Sequence, residues 1–330
     1  MPHQSAPDYL IDTLQLENNH VATLVSLPAN PDVAPRGAIL YIHGFVDYFY
    51  QDHVAEYFTD QGWAWYALDL RRNGRSLRAG QEPWYTSDLT EYYEEIDGAV
   101  TRIRDAGFST IVLMGHSTGG LISSIWANDR RHSRPISALV LNSPWFDLQS
   151  DWLDRNVFTW VVRGVGRIRP LMNVPRGDLS DIFPRSIHRS LDGEWDFNPR
   201  WKPLTPQPVK MGFLGSVRAQ QARLHKGLDV GVPVLMLRSD KSLLHLTEWE
   251  EAVKHADTVL DVEHMKKWLP SIGKNVTDAP LTGALHDVML SAQPIRDEAL
   301  ETVRQWLDDQ VPTSSDASVE GEEHELAVVI

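Results

Sequence analysis

The chain has 330 residues, of which 42% are hydrophobic and 23% charged; 31 Lys and Arg stand against 45 Asp and Glu, and cysteine is absent. This is the composition of a globular protein with a sizeable core, and it excludes disulfide frameworks, thiolate nucleophiles and Cys-based zinc sites. The net charge of −14 argues against a nucleic-acid surface, and no run approaches the roughly 20 apolar residues of a membrane span. Met1-Pro2-His3-Gln4-Ser5 lacks the basic-then-apolar plan of a secretory signal. A cytoplasmic location and no stable membrane insertion are therefore expected.

In chain order, His20–Leu27 predicts antiparallel edge strands. Apolar runs at 38–42, 64–68, 110–114, 138–141 and 233–237 follow. Continuous runs of this length suit parallel strands covered on both faces. A helical pattern over 88–106, closed by Gly107, separates the second run from the third. Strand alternating with helix predicts a doubly wound α/β sheet. The rhythm breaks after Pro144, where Trp145, Trp152, Trp160, Trp195 and Trp201 join several prolines. Residues 146–227 read as an inserted, mainly helical cap, with 1–145 and 228–311 forming the core. The last strand is expected at 275–281. A closing helix over 297–307 is entered through Ser291, with Pro294 in its first turn. The acidic tail, 312–330, has the composition of a disordered segment.

Gly115-His116-Ser117-Thr118-Gly119 matches G-x-S-x-G between an apolar strand and a helix-compatible stretch, Leu121–Ala127. In that turn the serine is strained, so residues two positions either side must lack side chains. Strand, turn and helix together mark Ser117 as a nucleophile.

With His43-Gly44-Phe45 at a strand end and Asp69-Leu70-Arg71-Arg72-Asn73-Gly74-Arg75-Ser76, the chain resembles the α/β-hydrolase superfamily from about His20 to Leu307. Its nearest branch resembles the monoacylglycerol lipase and lysophospholipase-like hydrolases, whose caps are inserted at the same place. Arg72 stands where that family usually has Gly. The resemblance implies an oxyanion hole from the backbone N–H groups of Phe45 and Thr118. It makes His43 a structural residue. It also implies the chain order Ser, acid, His, and of thirteen histidines His286 lies in the loop between the last strand and the closing helix. His264 belongs to a helix starting at Asp261.

The acid has three candidates. Asp240 is nearest the strand ending at Leu237. Asp257 has the apolar Val259 two places on, as the family pattern asks. Asp261 reads as an N-cap for 262–269. Asp257 is preferred, which requires an excursion containing a short helix capped through Thr247 and Glu250.

A serine at the elbow excludes the branches that use Asp there, and acyl transfer to water remains. Trp152, Phe158, Trp160 and Trp195, with Phe183, Phe197 and Trp201, are candidate walls of an apolar acyl pocket. The expected activity is hydrolysis of carboxylic esters: monoacylglycerols, lysophospholipids or smaller esters. The partner is then a small-molecule or lipid-like substrate. Alternatives are an aminopeptidase, with Asp181, Asp192, Glu194 and Asp196 offering an acidic pocket, a carbon–carbon bond hydrolase, or a non-catalytic ligand-binding protein. No metal-ligand spacing, phosphate loop or dinucleotide fingerprint is present, so no cofactor is expected. No pattern specifies an oligomeric state.

Overall fold

The computed structural model describes residues 7–148, 164–178, 180–246 and 248–311, with the side chains of 176–178 left aside. β1 (Leu10–Gln15) and β2 (Val21–Leu27) pair antiparallel, and β2 runs antiparallel to β4 (Trp63–Asp69). From there the sheet is parallel: β4, β3 (Gly37–Ile42), β5 (Ile111–His116), β6 (Ala138–Asn142), β9 (Val234–Ser239) and β10 (Val276–Leu281). The eight strands lie in the order β1-β2-β4-β3-β5-β6-β9-β10. One edge is β10 and the other β1, which the sequence pattern did not reveal. Most of its side chains are exposed, and only Leu14 is buried, so it carries little hydrophobic signal. β2, expected at the edge, is an inner strand.

Each parallel strand sends alternate side chains to opposite faces. Leu40, Ile42, Leu113, Leu139 and Leu141 join one core with α2 (Tyr93–Asp105), α3 (Thr118–Arg130) and a later helix, Met211–Leu224. Ile39, Tyr41, Val112, Met114 and Val140 join the other with α1 (Asp52–Thr59) and the C-terminal helix Gln293–Gln310. Burial on both faces is why these segments read as continuous apolar runs. Each fully buried Leu or Ile contributes about 1.5–3 kcal/mol relative to exposure.

Between β6 and β9 the described residues hold a two-stranded antiparallel sheet, β7 (Asn173–Asp178) with β8 (Pro208–Lys210), that sequence patterning missed. The short α4 (Ile182–Ile187) lies between them, and α5 is the helix Met211–Leu224. Phe213, Val217 and Leu224 of α5 are buried in the sheet's own core. α6 (Val262–Trp268) and α7 (Gln293–Gln310) complete the helices used below. Pro294 sits in the first turn of α7, but Ser291 does not cap it: its hydroxyl accepts the Leu285 N–H (2.9 Å). The excursion after β9 contains a 3-10 helix at Glu251–His255, which Glu250 precedes without a side-chain cap; Thr247 lies outside the described residues. So do the tail 312–330 and residues 149–163.

Arg72 has φ +64°, which explains the usual glycine at this position. Its guanidinium offsets the strain by donating to the Tyr85 carbonyl at 2.6 Å. Beside it, the buried carboxylate of Asp69 accepts from the Phe49 and Arg75 backbone N–H groups (both 2.9 Å), tying this loop to the one after β3.

Candidate active site

β5 ends at His116, and Ser117 turns the chain into α3 with φ 53° and ψ −117°. Such a conformation costs of order 1–3 kcal/mol and persists only where its surroundings over-determine it. Here they do. A Cβ on Gly115 would come within 2.7 Å of the Gly119 carbonyl and Ser123 Oγ, and one on Gly119 would overlap the carbonyls of Ile42 and His43. The Ser117 N–H donates to the Asn142 carbonyl (2.9 Å), and its own carbonyl accepts from Trp145 N–H (3.0 Å). The serine is 8% exposed.

His286 lies between β10 and α7, its Nδ1 2.8 Å from Asp257 Oδ2. Both side chains are buried. A carboxylate accepting from Nδ1–H leaves Nε2 as the acceptor, the tautomer a general base requires. The other oxygen, Oδ1, accepts from the N–H groups of Val259 and Leu260 (both 2.8 Å). The apolar residue two places on is thus part of the turn that holds the carboxylate. Asp240 Oδ1 accepts instead from Gly283 N–H (3.0 Å), and Asp261 caps α6 through Glu263 N–H. His264 is on α6, three residues from Asp261. Among the described residues no hydrogen bond joins Ser117 Oγ to His286, a looseness common in sites without substrate.

The turn after β3 faces this elbow. A Cβ on Gly44 would lie 3.2 Å from Ser117 Cβ and from His116 Nδ1, so glycine permits the close approach. Among the described residues the N–H groups of Phe45 and Thr118 have no hydrogen-bond partner. Val46, at φ 52°, is a β-branched residue in the left-handed region, a second strained position beside the elbow. His43 is structural: Nδ1 donates to the Gly44 carbonyl (2.7 Å), while Nε2 accepts Leu70 N–H (3.1 Å). Burial pushes its pKa down.

Ser117, His286, Phe45 and Thr118 line one cavity of about 450 Å³. Its apolar wall includes Trp145, Ile182, Phe183, Val259 and Leu260. Of the aromatic candidates, Phe183 is there, edge-on to the His286 ring at 5.4 Å. Trp152, Phe158 and Trp160 lie outside the described residues. Trp195 does not line the cavity. Its ring stacks on His53 (4.3 Å), the Arg296 guanidinium covers it (4.9 Å), and its N–H donates to the Leu290 carbonyl (2.8 Å). Phe197 and Trp201 likewise pack on Tyr50 and Tyr48. Trp145, by contrast, follows the C-terminal end of β6, where ligands of open α/β sheets gather. That position was the signal available for it.

The cavity also holds a charged pair that no motif announced. Asp47 Oδ1 accepts from Lys202 Nζ at 2.8 Å, and both side chains are nearly buried. Burial pushes the Asp47 carboxyl up, but Lys202 and then His116 outweigh it and hold it well below the usual carboxylate range. The ammonium also lies 5.3–5.8 Å from the rings of Tyr50, Phe183 and Phe197, within cation–π reach. Among the described residues no group of three acidic or histidine side chains is placed to hold a metal.

The stacked His53 has a further consequence. Burial first, then the Arg296 charge, pushes its pKa down from 6.5 to about 4, against the raising effect of its Met289 carbonyl bond. Unfolded His53 takes a proton near its ordinary value, but folded His53 only near the lower one. Its contribution is therefore present above pH 6.5 and is lost as pH falls towards the folded pKa, by on the order of 3 kcal/mol. Chemical denaturation of wild type and His53→Gln across that window should give a flatter stability profile for the variant; parallel profiles would refute the assignment.

A mostly parallel sheet, a strained serine between strand and helix, and a buried histidine after the last strand define an α/β-hydrolase. The family described as serine aminopeptidase, S33 (Hydrolase_4), matches residues 33–244, and the chain belongs to it. A monoacylglycerol lipase of Mycolicibacterium smegmatis is 34% identical over 116 residues, which are 34% of this chain and 40% of that protein. The phospholipase YtpA of Bacillus subtilis is 27% identical over 153 residues, 46% of this chain and 56% of that protein. The chain thus spans about half the length of these curated relatives. A soluble variant of monoglyceride lipase from Saccharomyces cerevisiae, solved with a substrate analogue, superposes with a TM-score of 0.70 at 16% identity, covering 94% of this chain and 99% of that one. A monoacylglycerol lipase from Paleococcus ferrophilus gives 0.64 at 19% identity, over 87% and 98%. At such identities the likeness establishes the fold. Among the described residues no helix is long and apolar enough to cross a membrane.

Proposed function

We propose that this protein hydrolyses carboxylic esters through an acyl-enzyme on Ser117. The observation that carries this reading is the 2.8 Å contact of Asp257 with His286 at the wall of the cavity that Ser117 lines. His286 Nε2 takes the hydroxyl proton as Ser117 Oγ attacks the ester carbonyl. Asp257 orients the imidazole and stabilises the imidazolium. The developing oxyanion is met by the N–H groups of Phe45 and Thr118, and each such donor is worth about 3–4 kcal/mol. The imidazolium then protonates the departing alkoxide, and a water activated by the same histidine releases the acid.

The apolar wall favours an acyl chain, and the names of the sequence relatives point the same way: fatty-acyl esters such as monoacylglycerols or lysophospholipids, or shorter esters. The aminopeptidase reading needs an unpaired acid near Ser117. Asp192, Glu194 and Asp196 are each paired with an arginine. Neither they nor Asp181 line the cavity. Asp47, the acid that does, is neutralised by Lys202.

The test is a panel of p-nitrophenyl esters from acetyl to palmitoyl beside aminoacyl p-nitroanilides. Ester turnover with an optimum chain length is expected. Turnover of the anilides alone would replace esterase by peptidase.

A further inference from the structure

We propose that Asn142 is a positioning residue that sets the separation between Ser117 and His286. The proposal rests on the reading of these two as nucleophile and base. Asn142 is the last residue of β6, 1% exposed. Its main-chain carbonyl accepts the N–H of Ser117 (2.9 Å), so it is bonded directly to the strained elbow. Its side chain reaches the opposite partner. Nδ2 donates to Asp287 Oδ1 at 2.6 Å, and Oδ1 accepts the N–H of Val288 at 3.2 Å. Those are the two residues that follow His286.

One residue thus bonds both the turn that carries the nucleophile and the loop that carries the base. The other ties of the His286 loop lead elsewhere. Asp257 holds the ring from the turn before α6, Asp240 holds Gly283, and Ser291 holds Leu285 within the loop itself. Asp287 is itself held in its turn. It is 1% exposed, and Gln51 Nε2 and Met289 N–H also donate to it (both 3.1 Å). An asparagine suits the task because its amide offers a donor and an acceptor side by side, whereas an aspartate offers acceptors and a leucine neither. The carboxylate it meets remains compensated without a second buried charge.

Neither Asn142 nor Asp287 lines the cavity, so their loss should change the chemical step and leave binding alone. A misplacement near 1 Å can cost about 100-fold in rate. We would compare Asn142→Ala, Asp287→Ala, the double variant and Asp287→Asn. The readouts are kcat and KM for a short p-nitrophenyl ester, the rate of fluorophosphonate labelling, and the unfolding midpoint. Each alanine variant should lose about 100-fold in kcat and labelling rate with KM within a few-fold. The double variant should lose clearly less than the product of the two single losses, since both break the Asn142–Asp287 bond. Asp287→Asn keeps an acceptor for the Asn142 amide and should stay within a few-fold of wild type.

Wild-type labelling rates in folded Asn142→Ala, or a lowered midpoint with kcat unchanged, would overturn the proposal. So would losses that multiply in the double variant. If Asn142→Ala does not fold, Asn142→Ser, which keeps a hydroxyl but not the fork, takes its place. Labelling that survives Ser117→Ala would instead overturn the serine-hydrolase reading itself, which keeps the two failures apart.

Discussion

Ser117→Ala should lower kcat for any ester the wild type hydrolyses by on the order of 10⁶-fold and abolish fluorophosphonate labelling. The size follows from the proposed mechanism. Without Oγ no acyl-enzyme forms, and what survives is direct attack by water helped by the oxyanion donors. Folding should be untouched. Among the described residues Ser117 Oγ makes no hydrogen bond, so its deletion strands no partner, and alanine tolerates φ 53° no worse than serine does. An unfolding midpoint at or slightly above wild type is the companion result. A folded variant that still turns over would remove Ser117 from the reaction.

The second large effect concerns the acid. Asp257→Asn should lower kcat by about 10⁴-fold. An amide in place of the carboxylate can turn its NH₂ towards His286 Nδ1, which moves the ring proton to Nε2 and removes the acceptor the serine needs. It also leaves the imidazolium uncompensated in a buried site. Asp240→Asn should cost only a few-fold, since an asparagine oxygen still accepts the Gly283 N–H that Asp240 holds at 3.0 Å. The pair separates two carboxylates that stand close in sequence and differ in reach. Equal losses, or a larger loss at Asp240, would reassign the acid.

The contrast between these two aspartates marks what local pattern can and cannot say. Ser117 was legible because its turn demands glycine at 115 and 119, and that steric demand is written into five consecutive residues. His286 was legible from chain order, because the loop after the last strand is where this fold returns to the elbow. Each inner parallel strand was legible because burial on both faces leaves an unbroken apolar run, whereas β10, at the sheet's far edge, is only partly buried. Asp257 was only preferred over Asp240, since sequence does not tell how far the excursion after β9 travels. The structure returns that excursion to β9's end, where the Leu243 N–H donates to the Asp257 carbonyl (2.8 Å) and the Asp257 N–H to the Lys241 carbonyl (3.0 Å). The carboxylate thereby comes to His286.

Among the described residues aromatic content alone did not mark the cavity, since Phe183 lines it and Trp195 does not. An indole looks alike in sequence whether it walls a pocket or, like Trp195, is used up by a carbonyl, a stacked His53 and a guanidinium. β1 escaped notice because a mostly exposed edge strand carries no hydrophobic period. Asp47 with Lys202, and Asn142 with Asp287, escaped for a common reason. Each joins residues far apart in the chain, and no local rule predicts which polar groups a fold buries face to face. By itself, then, the sequence determined the inner parallel strands and the strained turn at Ser117, because those rest on steric and hydrophobic demands between near neighbours. Tertiary structure decided which carboxylate meets His286, which aromatic rings face the cavity and what ties the His286 loop to the Ser117 turn, because those depend on distances between segments that only folding brings together.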